Sequence, residues 1–260
     1  MRRGFTPIGY RDRMRMTVLG GCGAWPAAGQ ACSGYLVEHD GFRLLVDPGY
    51  ATVPRLLERV AAQDVDAVLL SHGHPDHCAD LNPLLRARVL GGGAAPALPV
   101  HALPGAADRV LALDEPGTLA GASRVSAFAA GESFELGPLR VDTWPLPHTV
   151  PNAGLRLVAG GRVLAYTGDT GPSDAVVELA RGADLFLAEA SFPEQVPASA
   201  ARYLSNARQA GEAAAAAGAG RLLLTHLLPG TDPDLAGDAA RRAYHGDLGV
   251  ARGGVVVDLG

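Results

Sequence analysis

Ser71-His72-Gly73-His74-Pro75-Asp76-His77 directly follows the run Val65-Asp66-Ala67-Val68-Leu69-Leu70, and this junction decides the fold. The apolar run reads as a buried strand. Three imidazoles and a carboxylate are therefore crowded at the carboxyl end of a strand. Borderline metals such as zinc take nitrogen ligands, often with a carboxylate oxygen added. Imidazoles packed this closely would repel one another if protonated, so a bound cation is their natural partner.

Composition sets wide bounds. The 260 residues suffice for one large core. With 48% hydrophobic and 19% charged residues, the chain has the balance of an ordinary globular protein. A net charge of −5 argues against a partner held mainly through its phosphate backbone. All 22 basic residues are arginine, which excludes Schiff-base lysine chemistry and a Walker-type phosphate loop. The three cysteines, Cys22, Cys32 and Cys78, form no disulfide framework and suit a reducing cytoplasm. Cys78, beside the histidine cluster, reads as a small buried filler rather than a ligand. No apolar run reaches the ~20 residues of a membrane span. Met1 to Arg15 is basic but lacks the apolar stretch of a signal peptide. It is read as an extension without fixed structure, ahead of a single domain over 16–260.

Outward from the histidine loop, strands are expected at Thr17–Leu19, Gly34–Glu38 and Phe42–Val46, the last two joined by an Asp40-Gly41 hairpin turn. A helix follows over Val53–Ala62, with Thr52 as N-cap. Short helices are expected near Asp80–Arg86 and Ala106–Leu113, around a strand at Leu98–Ala102. The second half repeats the strand-rich start at Arg124–Phe128, Leu139–Thr143, Gly154–Ala159 and Val163–Thr167. Helices at Asp174–Ala180 and Ala207–Ala217 then alternate with strands at Leu185–Ala188 and Leu222–Thr225. Strands first and helix after, twice over, predicts two βα layers packed sheet to sheet.

Three later residues share the context of the first cluster. His148 follows an apolar strand, Asp169 follows another in Thr167-Gly168-Asp169-Thr170, and His226 ends Leu222-Leu223-Leu224-Thr225-His226. In an α/β architecture such strand ends converge on one face. His39, His101 and His245 lie outside this pattern and are read as structural or surface residues.

The His-x-His-x-Asp-His signature, followed in order by His, Asp and His, resembles the metallo-β-lactamase superfamily of metallohydrolases over about Thr17 to Asp258. The resemblance implies an αβ/βα sandwich with two divalent metals, zinc or else manganese or iron, in a cleft at one edge. By motif, His72, His74 and His148 would hold the first metal, and Asp76, His77 and His226 the second. Asp169 would bridge them, and Asp47 would steady the ligand loop from behind. The metals would acidify a bridging water. Asp76 would orient it or relay a proton.

Gly168-Asp169-Thr170-Gly171, Leu224-Thr225-His226 and Arg208-Gln209-Ala210-Gly211 resemble the phosphodiesterase branch, which includes ribonuclease Z and cyclic-nucleotide phosphodiesterase-like proteins. Two departures matter. The branch's assisting His, seven residues before Gly211, is Leu204 here, with Tyr203 beside it as a substitute donor. Only the twenty residues 149–168 separate His148 from Asp169, too few for the arm of the tRNA enzymes. The resulting expectation is a small-molecule phosphodiester substrate, with no large RNA and no membrane partner; a homodimer is compatible with it. A lactone, ester or thioester hydrolase on the same site is the alternative, followed by an iron-dependent oxidoreductase.

Overall fold

Apolar runs broken by turn residues become two seven-stranded sheets in the computed structural model, which describes residues 13–92 and 95–260. The first half supplies β1 (Met14–Gly20), β2 (Gly34–His39), β3 (Phe42–Val46), α1 (Thr52–Leu57), β4 (Ala67–Leu69), α2 (Pro75–Cys78), α3 (Leu81–Leu90), β5 (Leu98–Ala102), α4 (Asp108–Leu111) and β6 (Ser123–Ala127). The second half supplies β7 (Ser133–Leu136), β8 (Leu139–Leu146), β9 (Asn152–Ala159), β10 (Arg162–Tyr166), α5 (Asp174–Ala180), β11 (Leu185–Glu189), α6 (Ala207–Ala217), β12 (Arg221–Thr225), α7 (Pro233–Arg241) and β13 (Asp247–Val250). The last strand, β14 (Val256–Leu259), returns to pair with β1.

The strand orders are β14-β1-β2-β3-β4-β5-β6 and β13-β12-β11-β10-β9-β8-β7. In both sheets antiparallel hairpins give way to parallel strands, at β3–β4 and at β10–β11. The hairpin at Asp40-Gly41 has both residues at positive φ, 50° and 83°, as a two-residue turn matched to strand twist requires.

Alternation along the strands builds three apolar layers. On β4, Ala67 and Leu69 face the space between the sheets, while Val68 faces outward. On β11, Leu185 and Leu187 face inward, and Phe186 and Ala188 outward. Tyr35, Leu155, Leu157 and Tyr166 fill the layer between sheets. Outside the first sheet, Leu56, Leu84 and Leu85 of α1 and α3 cover Val68 and Leu70. Outside the second, Leu179 of α5 and the alanine face of α6 cover Phe186 and Leu222. The alanine run of α6 begins with a capping box between Asn206 and Gln209 and ends at Gly218 in left-handed conformation. The expected four-layer α/β sandwich is the observed architecture.

Several boundaries differ. β1 begins at Met14, inside the segment assigned to the extension: Met14 pairs with Leu259 and Arg15 with Asp258. Residues 1–12 of that segment lie outside the described residues. The helix expected to Ala62 ends at Leu57, and its N-cap is Ala51, not Thr52. Thr52 instead turns its hydroxyl back to the Gly49 carbonyl at 2.7 Å. Strands β7, β13 and β14 are only four residues each, too short to show a clear period, and helix α7 carries one large apolar residue, Leu235. They form because tertiary pairing overrides weak local preference.

Burial gives a direct check. Leu157, 1% exposed between the sheets, should lose about 2–5 kcal/mol of stability on replacement by Ala. Leu235, 59% exposed on α7, should change by no more than about 0.5 kcal/mol. Urea denaturation of the two variants separates these outcomes.

Candidate metal centre

Parallel strands run their carboxyl ends to one edge, and every candidate ligand sits there. Asp47 follows β3, the histidine loop follows β4, His148 follows β8, Asp169 follows β10, and His226 follows β12. The histidine loop turns straight into α2, with Pro75 in its first turn, so Asp76 and His77 ride on a helix.

The seven residues form two sets that share one carboxylate. The first comprises His72, His74, His148 and Asp169; the second comprises Asp76, His77, His226 and Asp169. His74 Nδ1 lies 3.2 Å from His72 Nε2 and 3.0 Å from His148 Nε2. Asp169 Oδ2 completes this set, 3.8 Å from His72 Nε2 and 3.7 Å from His148 Nε2. The other oxygen, Oδ1, turns to the second set, 3.2 Å from His77 Nε2 and 3.3 Å from His226 Nε2. Asp76 Oδ2 stands 3.1 Å from His226 Nε2 and 3.5 Å from His77 Nε2. Donors bound at about 2.0–2.2 Å around a tetrahedral ion lie about 3.3–3.6 Å apart, close to these spacings.

Hydrogen bonds behind the rings fix what each ring presents. His77 Nδ1 meets the Asp47 carboxylate at 2.8 Å, and His148 Nδ1 meets the Tyr203 carbonyl at 3.0 Å. Both partners only accept, so both Nδ1 atoms carry the proton. Ser71 Oγ donates to Asp47 at 2.5 Å and must therefore accept from His72 Nδ1 at 3.0 Å. Ser191 Oγ donates to Glu189 at 2.6 Å and accepts from His226 Nδ1 at 3.0 Å. When these four rings are neutral, each leaves a lone pair on Nε2, aimed into the cluster. Those lone pairs converge with the carboxylate oxygens of Asp76 and Asp169, an arrangement that suits a cation. His77 Nε2 and Asp169 Oδ1 are indeed buried without a hydrogen-bond partner among the described residues. The residues fit a metal centre.

Electrostatics agree. Burial holds His72, His74 and His148 below the usual imidazole range and so keeps them neutral, as ligands must be. His77 and His226 go the other way. Burial pulls them down, but Asp169, with Asp76 and, at His77, Asp47, outweighs it and raises both. Protons there take the place that positive charge demands. Burial likewise pushes Asp76 and Asp169 upward, but the surrounding imidazoles hold both well below the ordinary carboxylate range.

All seven ligand candidates come together, and Asp47 lies directly behind them. Cys78 packs in the apolar layer under α3, and His101 lies outside the cluster, its ring stacked on Phe134. Tyr203 meets the cluster through its main-chain carbonyl, while its ring lies against the Arg202 guanidinium. Ser71, Tyr166, Ser191 and Glu189 also support the cluster, and the sequence alone assigns none of them a site role. Tyr166 donates to Asp47 at 2.8 Å. Glu189, fully buried, has its carboxyl pushed up to about 8 by burial and by the Asp169 charge. It accepts from Thr170 N at 2.6 Å and Ser205 N at 3.1 Å. A polar residue closing the apolar run Leu185-Phe186-Leu187-Ala188-Glu189 repeats the pattern that marked the ligands, so that signal was present.

Comparison with known proteins places this geometry. The family model described as "Beta-lactamase superfamily domain" matches residues 42–227. The probable metallo-hydrolase YhfI of Bacillus subtilis is 32% identical over 246 residues, 94% of this chain and 99% of that protein. Its crystal structure superposes with a TM-score of 0.86 over 95% of this chain and 100% of that one. Ribonuclease Z of Methanopyrus kandleri is 30% identical over 280 residues, 93% of this chain and 96% of that protein. The fold is also that of a diphosphatase from the PhnP family, with a TM-score of 0.69 and 21% identity over 95% and 97% of the two chains.

Because Asp47 holds His77 from behind, Asp47→Ala should weaken zinc binding about 10- to 100-fold with the ligands intact. Competition against a fluorescent chelator measures this. Unchanged affinity would mean that the carboxylate does not orient the ring.

Proposed function

The chain belongs to the β-lactamase superfamily, and from that premise we propose that it is a dinuclear metallohydrolase acting on a small phosphodiester. One observation carries the dinuclear reading: Asp169 turns one carboxylate oxygen to each of two histidine sets. His72, His74 and His148 would hold one divalent ion, Asp76, His77 and His226 the other, and Asp169 both. Five imidazoles with two carboxylates favour zinc over magnesium or calcium. When bound, the two ions supply an acidified water as nucleophile and positive charge for the phosphoryl oxygens.

The protein's own residues do the positioning. Asp76 is held from two sides, its Oδ2 accepting from Ala24 N at 2.9 Å and facing His226. So held, the carboxylate can accept a hydrogen bond from the nucleophile and orient it. The Ser71–Asp47 and Ser191–Glu189 pairs keep His72 and His226 in one tautomer. His74 and His148 are the less buried members of the first set and form its open side.

The phosphodiester class rests on the ribonuclease Z relative and on the segments around Asp169, Gly211 and His226. A small substrate is supported by the hairpin between His148 and Asp169: β9 and β10 pair through to Ala159 and Arg162, leaving no length for an arm. In the place of the branch's assisting His we assign Tyr203, as hydrogen-bond donor to charge growing on the phosphoryl group.

Three measurements test this reading. Protein purified without added metal should carry close to two transition-metal ions per chain; metal-free protein that is folded and active would refute it. Zinc-loaded protein should hydrolyse bis(p-nitrophenyl) phosphate, and His74→Ala and Asp76→Ala should abolish turnover while the fold survives. Lactone or thioester hydrolysis with no phosphodiester turnover would replace the substrate class. Tyr203→Phe should slow turnover by up to ~10²–10³-fold at constant metal content, and normal turnover would dismiss that residue alone.

A further inference from the structure

Arg55, Arg59 and Arg252 line one cavity of about 610 Å³. Its walls come from α1, from the ends of β1 and β13, and from the loop over 29–31. None of the seven ligand candidates lines it, although Leu227, in its wall, directly follows His226. A volume of this size holds a small organic molecule.

Contacts fix where the guanidinium groups lie. Arg55 donates from Nη1 to the Leu19 carbonyl at 3.1 Å and from Nη2 to the Gly29 carbonyl. Its head is thus set in the cavity wall. The turn Arg252-Gly253-Gly254 passes over these heads with no side chain between. A Cβ on Gly253 would collide with Arg55 Nη1, and a Cβ on Gly254 would lie 3.9 Å from Arg59 Nη2. The turn itself is pinned, with Gly254 N donating to the Val18 carbonyl at 2.8 Å and Val255 N to the Arg252 carbonyl at 3.0 Å. Two guanidinium groups therefore lie against one rigid turn, and Arg252 opens that turn.

Charge is the second observation. Arginines elsewhere are matched by carboxylates, as Arg43 is by Glu38, Arg162 by Asp184 and Arg242 by Glu194. Arg55, Arg59 and Arg252 have no acidic side chain at ion-pair distance among the described residues. Arg55 and Arg59 stand four residues apart, on α1 and the turn after it, a spacing at which like charges repel. Glu58 is the one acidic side chain in the lining, which leaves two positive charges uncompensated. Val18, Leu227, Leu228 and Val250 supply an apolar wall beside them.

We infer that this cavity is a binding site, separate from the metal centre, for a small organic dianion whose charged groups are phosphate or carboxylate. Guanidinium forks meet the paired oxygens of either group and bind them more strongly than neutral donors do. The apolar wall would take the body of the molecule, and the glycines at 253 and 254 let it approach the backbone closely. This site does not depend on the phosphodiester reading.

The test uses 3-phosphonopropionate and glutarate, which carry two oxyanion groups each, and glutaramide, which keeps the length of glutarate without charge. Calorimetry is run at about 0.15 M salt, where loose surface attraction is screened. Zinc-loaded protein should bind at least one of the two anions and not glutaramide, and the tighter anion identifies the group that the arginines select. Arg59→Gln and Arg252→Gln should each weaken one equivalent of that binding at least roughly tenfold. Zinc content and far-UV circular dichroism should not change in either variant. Arg109→Gln, which removes an exposed arginine on α4, should bind as the unaltered protein does. Binding of neither anion would overturn the inference. So would binding that survives both substitutions, which would put the anion at the metals, or an equal loss in Arg109→Gln, which would reduce the effect to net charge.

Discussion

Asp47 carries a carboxylate fully shielded from solvent that accepts four hydrogen bonds, and the centre is organised around it. Its Oδ1 takes Ser71 N at 2.7 Å, while Oδ2 takes Ser71 Oγ, His77 Nδ1 and Tyr166 OH. Ser71 and His77 belong to the first sheet's ligand loop, and Tyr166 to the second sheet. One anion therefore fixes the histidine loop and joins the two halves of the sandwich. A second tie runs beside it, Tyr35 OH to Thr225 Oγ1 at 2.6 Å, just before His226. A buried charge so fully satisfied is tolerable only as part of a complete network, because each partner removed leaves the charge less compensated. The geometry of the ligands and the closure of the two sheets are thus set by the same few polar contacts.

Much of this was legible from sequence because the governing pattern is local. Each ligand follows an apolar strand, so periodicity and a polar terminator located His72, His74, His148, Asp169 and His226 without three-dimensional knowledge. What stayed hidden depends on contacts between distant segments. Tyr166 reads as one more apolar strand residue until its hydroxyl is seen to reach Asp47, 119 positions away. Ser191 acquires meaning only between Glu189 and His226. Strand β14 is four residues long and helix α7 has a single large apolar residue, so the segments they pair with and pack on fix their places. The helix at Thr52 was misread at its start because Asp80, far along the chain, accepts from Val53 N at 2.8 Å and satisfies the first turn.

Backbone strain is distributed unevenly. Of the five non-glycine residues with positive φ among the described residues, one, Asp40, serves a hairpin turn. The other four, Ala24, Asp47, Ala51 and His226, are at the centre or on the loops beside it. Two are polar members of the site and two are alanines in the adjoining loops. The stable layers between and outside the sheets hold these conformations in place, and the relaxed remainder of the chain offsets their cost.

The pairing of β1 with β14 has a topological consequence. Because β1 and β14 pair antiparallel, with Met14 opposite Leu259, the described segment from residue 13 to residue 260 closes on itself within one sheet. The exposed stretch around residues 112–121 divides that segment between the half bearing His72 to His77 and the half bearing His148, Asp169 and His226. Joining residue 260 to residue 13 through a short linker and reopening the chain there would reverse the order of the halves, with every strand neighbour and every ligand retained. The histidine loop would then lie near the new carboxyl terminus. The motif order that identifies the family would be scrambled, although the chemistry it encodes would survive.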